Sequence, residues 1–449
     1  MPDVTLIPED DLTRFMTSQT WVRSRTGVPS SARVLEAVLV RGDAPLLALT
    51  LVEVDIEHGM SEIYQLPIGL RPAADGWNER VIAQFDGWTA YDALADPVLV
   101  RTLEARVTDR ESIQAGDASV EFAAIVADEP PTPRSPGDEV TLRVYRRLDA
   151  GTHPELELLR FLTEHDFPNV APLVGSYSYA SPVIDATLGV AQRRLPVDLD
   201  GWSFALASMT DSPEPFLEAV RQLGTVTRSM HELLASEPTD ADFASEEPSA
   251  EALALFYATL DEEIGTVFAN LPGDEALAPI SGRGEEVRDE LRSMSRLPRG
   301  GRVIRIHGNY HLGNVAWTGS DWLIGDFAGD LERTMPERRR KQSPLRDVAT
   351  MLSSFRYVAS AAALEIGHEP PLGWEEHVRS EFLSGYFAQV ETAGIVPGGA
   401  EEVESLLILF ELERTVHELR YEILYRPDWV SIPVSGIRRL LDLRSCLVV

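Results

Sequence analysis

Residues 307–314 read His307-Gly308-Asn309-Tyr310-His311-Leu312-Gly313-Asn314, and an Asp326-Phe327 pair follows a short way downstream. Val303, Ile304 and Ile306 form an apolar run before His307, which reads as a short buried strand. His307-Gly308 breaks the run, and the polar loop carries Asn309, His311 and Asn314. Trp322-Leu323-Ile324-Gly325-Asp326-Phe327 then reads as a second apolar strand ending in an acid. On adjacent antiparallel strands, a loop amide (Asn314) and a strand-end carboxylate (Asp326) can grip one hard cation. Magnesium prefers such oxygen ligands and fills its remaining positions with waters and phosphates. The bland alternative is a hairpin with an inert polar loop. The complete spacing through Asp326-Phe327 argues against it, where an isolated His-Gly-x-x-His would not.

The chain has 449 residues, enough for two or three domains and a sizeable core. Its 44% hydrophobic and 25% charged residues are ordinary for a globular protein. Its 40 basic and 72 acidic residues leave a net charge of −32. That balance disfavours nucleic acid as a partner, and also an anionic membrane. The single cysteine, Cys446, rules out an intrachain disulfide framework and a cysteine-rich zinc site. It fits a reducing cytoplasm. With no long apolar run and no basic-then-apolar start, neither a signal peptide nor a membrane span is expected.

The first hundred residues read as a β-rich antiparallel meander. Its strands run from Val34 to Val40, from Leu46 to Ile56, and, after His58-Gly59, through Ile63-Tyr64-Gln65-Leu66-Pro67-Ile68. A helix is expected to open at Tyr91-Asp92. A second β-unit starts near Val120, followed by an acidic Pro-rich loop from Ala127 to Asp138. Val140 to Leu148 reads as one strand, Pro154 to Thr163 as a helix with Pro154 in its first turn, and 187–197 as another strand. Asp200-Gly201-Trp202 marks a turn. Beyond it the pattern is helical over Phe216 to Ser236 and Ala250 to Leu271, and again from Ser343 onward.

With these segments in hand, the chain resembles the actinobacterial maltokinase family. The resemblance is carried by Tyr64-Gln65-Leu66-Pro67, Tyr145-Arg146-Arg147-Leu148, Asp200-Gly201-Trp202 and the 307–314 loop. Ser343-Pro344-Leu345-Arg346-Asp347, Arg420-Tyr421-Glu422 and Arg426-Pro427-Asp428-Trp429 carry it further. It spans essentially the whole chain. It implies an α+β, bilobal protein-kinase-like fold of the aminoglycoside phosphotransferase type with an extra N-terminal β-rich cap. The implied domains are a cap over 1–105, a mixed β/α N-lobe over 106–198 and a mostly helical C-lobe over 199–449. The implied activity is transfer of the ATP γ-phosphoryl group to maltose, with magnesium as the second cofactor. Glucosamine kinases share the architecture and compete on acceptor. A trehalose-synthase-like enzyme is the implied protein partner.

The resemblance also implies roles. Asn314 and Asp326 would bind magnesium. Asn309, with His307 at the head of its loop, would hold the acceptor. Arg143 would hold the ATP phosphates, oriented by the helix acid Glu157, and Gln192 would face adenine. Tyr310, His311, Arg420, Tyr421 and Glu422 would lie near the sugar. Four departures cluster on catalysis. The acceptor-orienting Asp of the family is Asn309, and the phosphate-holding Lys is Arg143. The Pro-rich segment 127–138 replaces a polar phosphate-cradling loop, and Ala328 stands where the family has Glu. An amide cannot take a proton, and a general base contributes about 10²–10⁴-fold to rate. Two outcomes are implied: a slow sugar kinase, or a pseudokinase that binds a partner or senses sugar. Elsewhere Asp347 is expected to tie Arg346 to local backbone, the alternative being that it stabilises the loop by a buried ion pair. His231 is expected to be a satisfied core histidine, and Arg338-Arg339-Arg340-Lys341 to steer anions or form a salt-bridged face. Trp202 and Trp429 are candidates for stacking on sugar.

Overall fold

The computed structural model describes residues 3–22, 28–57, 60–109, 112–124, 140–294, 301–388 and 394–447. The Pro-rich segment 127–138 and His58-Gly59 lie outside the described residues. The chain divides into two compact units, Met1–Asp166 with Ala171–Leu195, and Phe167–Val170 with Pro196–Val449.

The first unit opens with helix α1 (Glu9–Ser18) and strands β1 (Pro29–Arg41), β2 (Leu46–Ile56), β3 (Met60–Pro72), β4 (Val81–Phe85) and β5 (Trp88–Asp92). They form an antiparallel sheet in the order β1-β2-β3-β5-β4. The central strand β2 is apolar and buried at seven successive positions, because neighbours pair with it on both edges and both its faces are covered. Leu12, Phe15 and Met16 of α1 join its core. The helix expected at Tyr91 starts later. Tyr91 and Asp92 finish β5, Asp92 caps a single 3₁₀ turn, and α2 (Pro97–Asp109) follows.

Strands β6 (Ser112–Ala115), β7 (Ala118–Ala124) and β8 (Val140–Val144) come next, and then β9 (Arg147–Leu148). The strand expected from Val140 to Leu148 is therefore split. β8 pairs with one sheet and β9 adds to β3 of the other, with Tyr145 and Arg146 carrying the chain between them. Helix α3 (Pro154–Glu164) and strands β10 (Leu173–Ala180) and β11 (Asp185–Arg193) complete the second sheet, ordered β6-β7-β10-β11-β8.

The second unit is mostly helical. It holds a short β12 (Leu199–Asp200), α4 (Gly201–Thr210), α5 (Glu214–Leu234), α6 (Ala250–Ala269) and α7 (Gly284–Met294). The apolar run at 303–306 does not become a strand. Val303 and Ile304 make isolated bridges to Glu246 and Gln342. The hairpin pairs instead β13 (Val315–Trp317) with β14 (Trp322–Ile324), and β12 lies on the outer edge of β13. Helices α8 (Met335–Arg339), α9 (Leu345–Glu365), α10 (Trp374–Tyr386), α11 (Ala400–Tyr425) and α12 (Ser431–Leu447) follow. Among the described residues, no helix is long and apolar enough to cross a membrane.

Candidate active site

The 307–314 loop is built around Asp347, in the first turn of α9. This carboxylate is 1% exposed. Its Oδ2 accepts the backbone N–H of His307 and its Oδ1 that of Gly308, each at 2.9 Å. His231 of α5 meets the same carboxylate through Nε2 at 3.1 Å, and its Nδ1 lies 2.9 Å from the Tyr386 hydroxyl. Burial alone would raise the Asp347 pKa. The hydrogen bond from His231 and the backbone amides of His307 and Gly308 outweigh it and hold the group below its usual value. A buried carboxylate stays ionised only when donors enclose it in this way. The expected tie to Arg346 does not form, because Arg346 turns to Gln342 and Glu413. The basic run is also committed. Arg338 is buried against the Ala328 carbonyl at 3.0 Å, and Lys341 pairs with Glu246.

The loop histidines serve the backbone. His307 is enclosed, with Nε2 2.8 Å from the Gly325 carbonyl and Nδ1 accepting the Asn309 N–H at 3.3 Å. Desolvation lowers its pKa, so it stays neutral. This placement corrects the catalytic role expected of His307. His311 Nδ1 accepts the Gly313 N–H at 3.1 Å, and burial, with Arg414 and His307 adding to it, pushes its pKa down to about 3. Tyr310 is fully enclosed and its hydroxyl lies 2.8 Å from Thr227 Oγ1, so its side chain does not reach a surface where sugar could touch it.

Asn309, Asn314 and Asp326 do come together. Asn314 Nδ2 donates to the Asn309 carbonyl at 2.9 Å, and the Gly325 N–H donates to the Asn314 carbonyl at 2.9 Å. Asp326, next after Gly325, has φ +61°. For a residue with a Cβ this conformation costs about 1–3 kcal/mol and persists only where surroundings impose it. The pair thus offers an amide oxygen and a carboxylate, the donor set a magnesium ion takes. Among the described residues no group of three or more His, Cys, Asp or Glu could hold a metal, so an ion here would complete its shell with water and phosphate.

In the first unit, Arg143 of β8 meets Glu155 of α3 at 2.7 Å, and Tyr145 donates to the other oxygen of the same acid at 2.8 Å. Glu155 is 1% exposed. The helix acid facing Arg143 is therefore Glu155 rather than the expected Glu157. Gln192, near the end of β11, donates through Nε2 to the Ala171 carbonyl at 2.7 Å.

Of the α11 residues, Arg420 bridges Glu332 at 2.5 Å and Glu263 at 3.3 Å. Glu422 is buried, and its Oε1 accepts from the Tyr357 hydroxyl at 2.7 Å and from Arg426 at 2.6 Å, while its Oε2 has no hydrogen-bond partner among the described residues. Tyr421 stacks obliquely on Tyr425 with ring centres 4.9 Å apart. The same region gathers an aromatic group that the sequence only suggested. Tyr357 lies 6.0 Å from Trp202 and stacks on Trp429 at 6.0 Å, and the Arg426 guanidinium covers Trp429 at 5.2 Å. Its position beside the loop is set by glycine. A Cβ on Gly201 would lie 2.7 Å from the Leu312 carbonyl, so only glycine lets Trp202 come this close to the 312–314 turn. Leu312 is in turn held by Ser354 of α9, one turn before Tyr357.

Residues 15–96 match the maltokinase N-terminal cap domain family. Over these residues the chain is similar to the maltokinase cap. Glucosamine kinases are among its relatives. That of Mycolicibacterium smegmatis is 25% identical over 68% of this chain and 76% of its own length. That of Streptacidiphilus jiangxiensis is 26% identical over 59% of each. A solved glucosamine kinase in complex with glucosamine, ADP and inorganic phosphate superposes with a TM-score of 0.66 at 19% identity, covering 97% of this chain and all of that one. Another crystal form of glucosamine kinase reaches 0.71. At this identity the likeness establishes the fold, which is kinase-like, α+β, with an N-terminal β-rich cap.

Proposed function

We propose that this maltokinase-like chain transfers the γ-phosphoryl group of ATP to a sugar hydroxyl, slowly, through the 307–314 loop. The observation that carries the reading is the Asp347 clamp, which fixes the loop in which Asn314 bonds the Asn309 carbonyl and the Asn314 carbonyl takes the Gly325 N–H next to Asp326. Asn314 and Asp326 would hold a magnesium ion, which when bound would supply neutralisation of phosphate charge. Asn309 can accept a hydrogen bond from the acceptor hydroxyl and aim it, but cannot take its proton. The bond from acceptor oxygen to γ-phosphorus forms, the bond to the β-bridging oxygen breaks, ADP leaves, and the proton passes to water. Because the transition state is loose, positioning and charge can sustain this without a base. The neighbouring relatives are named for phosphorylating glucosamine, and one was solved with glucosamine and ADP, which supports a sugar acceptor and a nucleotide donor. Maltose is the other acceptor of this reading, and Trp202, Tyr357 and Trp429 supply rings on which either could stack.

The amide at 309 favours a second reading, a pseudokinase that docks a partner such as a trehalose-synthase-like enzyme. One experiment separates them. Magnesium-ATP is titrated into wild type and Asn309→Asp while thermal unfolding is followed, and phosphate transfer to maltose and glucosamine is measured. Ligand at a hundred times its Kd stabilises by about 2.7 kcal/mol. The kinase reading expects a shift in both proteins and turnover about 10²–10⁴-fold higher in Asn309→Asp. A shift without transfer in either protein leaves the pseudokinase reading. No shift in either rejects nucleotide binding altogether.

A further inference from the structure

The end of β1 and one face of α2 border a shallow, open hollow of about 430 Å³, lined by Arg41, Val98, Arg101, Thr102, Ala105 and Arg106. Its lining holds three arginines and no acid, on a chain whose acids outnumber its bases by 32. The guanidinium groups are braced by neutral oxygens. A bulge between Leu39 and Arg41 re-aims the end of β1. Arg41 then donates through Nε to the Asp43 carbonyl at 3.3 Å and through Nη1 to Thr102 Oγ1 at 3.4 Å. Thr102 is itself tied to the Val98 carbonyl at 2.9 Å. Arg101 donates through Nε to the Pro97 carbonyl at 3.2 Å, and Arg106 through Nη2 to the Val40 carbonyl at 3.3 Å. Among the described residues, neither Arg41 nor Arg101 forms an ion pair with a carboxylate. Each keeps further N–H donors after these bonds, because a guanidinium carries five.

We propose that this hollow on the cap is a phosphate-binding site, separate from the 307–314 loop. Like charges gathered in one concavity repel until an anion sits among them. A guanidinium fork matches the oxygens of a phosphate, and the oxygens of one phosphate can be shared between two forks. The hollow has room for a phosphate with a small substituent, so free phosphate and a sugar phosphate are the two sources of the same chemistry. The claim does not rest on catalysis, and it survives if the phosphotransferase reading fails.

The test is calorimetric titration of the full chain at fixed ionic strength and without magnesium, using sodium phosphate in one arm and glucose 6-phosphate in the other. Saturable binding is expected in at least one arm. It should weaken more than tenfold in Arg41→Gln/Arg101→Gln and several-fold in Arg101→Gln alone, whose side chain is exposed and whose loss leaves the unfolding midpoint unchanged. Tighter binding of glucose 6-phosphate assigns the site to phosphorylated sugar, and equal binding assigns it to free phosphate. Absence of saturable binding in both arms overturns the proposal. So does wild-type affinity in Arg101→Gln, which decides the matter if the double variant does not fold.

Discussion

His311 is held neutral inside its own loop, its pKa pushed down to about 3 by burial with Arg414 and His307 adding repulsion. In the unfolded chain the same ring titrates near ~6.5. The folded value is the lower one, so below that pH the unfolded chain binds the extra proton and stability falls as the pH drops toward 3. The slope approaches about 1.4 kcal/mol per pH unit for one such group. His307 acts in the same direction, since desolvation lowers its pKa too. Asp347 adds a further loss at lower pH. Its folded value is depressed, so its contribution is full above the unfolded value of ~3.9 and disappears as the pH falls through the folded one. Urea unfolding in metal-free buffer should therefore show stability dropping by at least ~2 kcal/mol between pH 6.5 and 5, and His311→Gln should flatten that profile. A wild-type profile level across this range would mean that these rings are not buried as neutral groups.

Helices α5 and α10 approach one another through glycine. A Cβ on Gly385 would stand 1.9 Å from the Arg221 carbonyl, and one on Gly224 would stand 2.1 Å from the Phe382 carbonyl. Backbone cannot yield as a flexible side chain does. Gly385→Ala should therefore destabilise by roughly 1–3 kcal/mol through overpacking, although alanine is the better helix former. Because Tyr386 of α10 bonds His231 of α5, and His231 bonds Asp347, the change should also loosen the loop clamp. Thermal denaturation of the variant checks it, and an unchanged midpoint would contradict the close packing. At this scale, helical periodicity in the sequence located α5, α6 and α9 well, since each presents a sustained apolar face. It could not tell Glu155 from Glu157. Two residues apart on a helix, they face nearly opposite ways, and only tertiary placement decides which meets Arg143. A loop-stabilising role for Asp347 could be read from the sequence, but its partners could not, for a similar reason. An acid in the first turn of a helix ordinarily serves that helix, and nothing local reveals that its oxygens reach His307 and Gly308. The strand expected at 303–306 failed because apolar content signals burial, and single bridges satisfy burial as well as a ladder does.

Across the whole molecule, electrostatics divides into local attraction and global repulsion. The second unit gathers ion-pair networks, with Glu413 shared by Arg333 and Arg346, and Arg420 shared by Glu263 and Glu332. Partly exposed pairs such as those of Arg420 contribute about 0–1 kcal/mol each, and salt weakens them, whereas the more enclosed Glu413 pairs are screened less. Against them stands an excess of acids that pairing cannot remove. If each of the 40 basic residues took one acid, 32 of the 72 would still be unmatched. Their mutual repulsion acts across the surface and is screened as the Debye length shrinks from about 30 Å at 0.01 M salt to about 8 Å at 0.15 M. Repulsion among so many surplus acids outweighs a handful of half-exposed pairs, so added sodium chloride should raise the thermal midpoint over this range by a few degrees. Calorimetry at the two salt concentrations, at pH 7.5, measures it. A falling midpoint would show that the Glu413 and Arg420 networks contribute more to stability than the surplus charge removes.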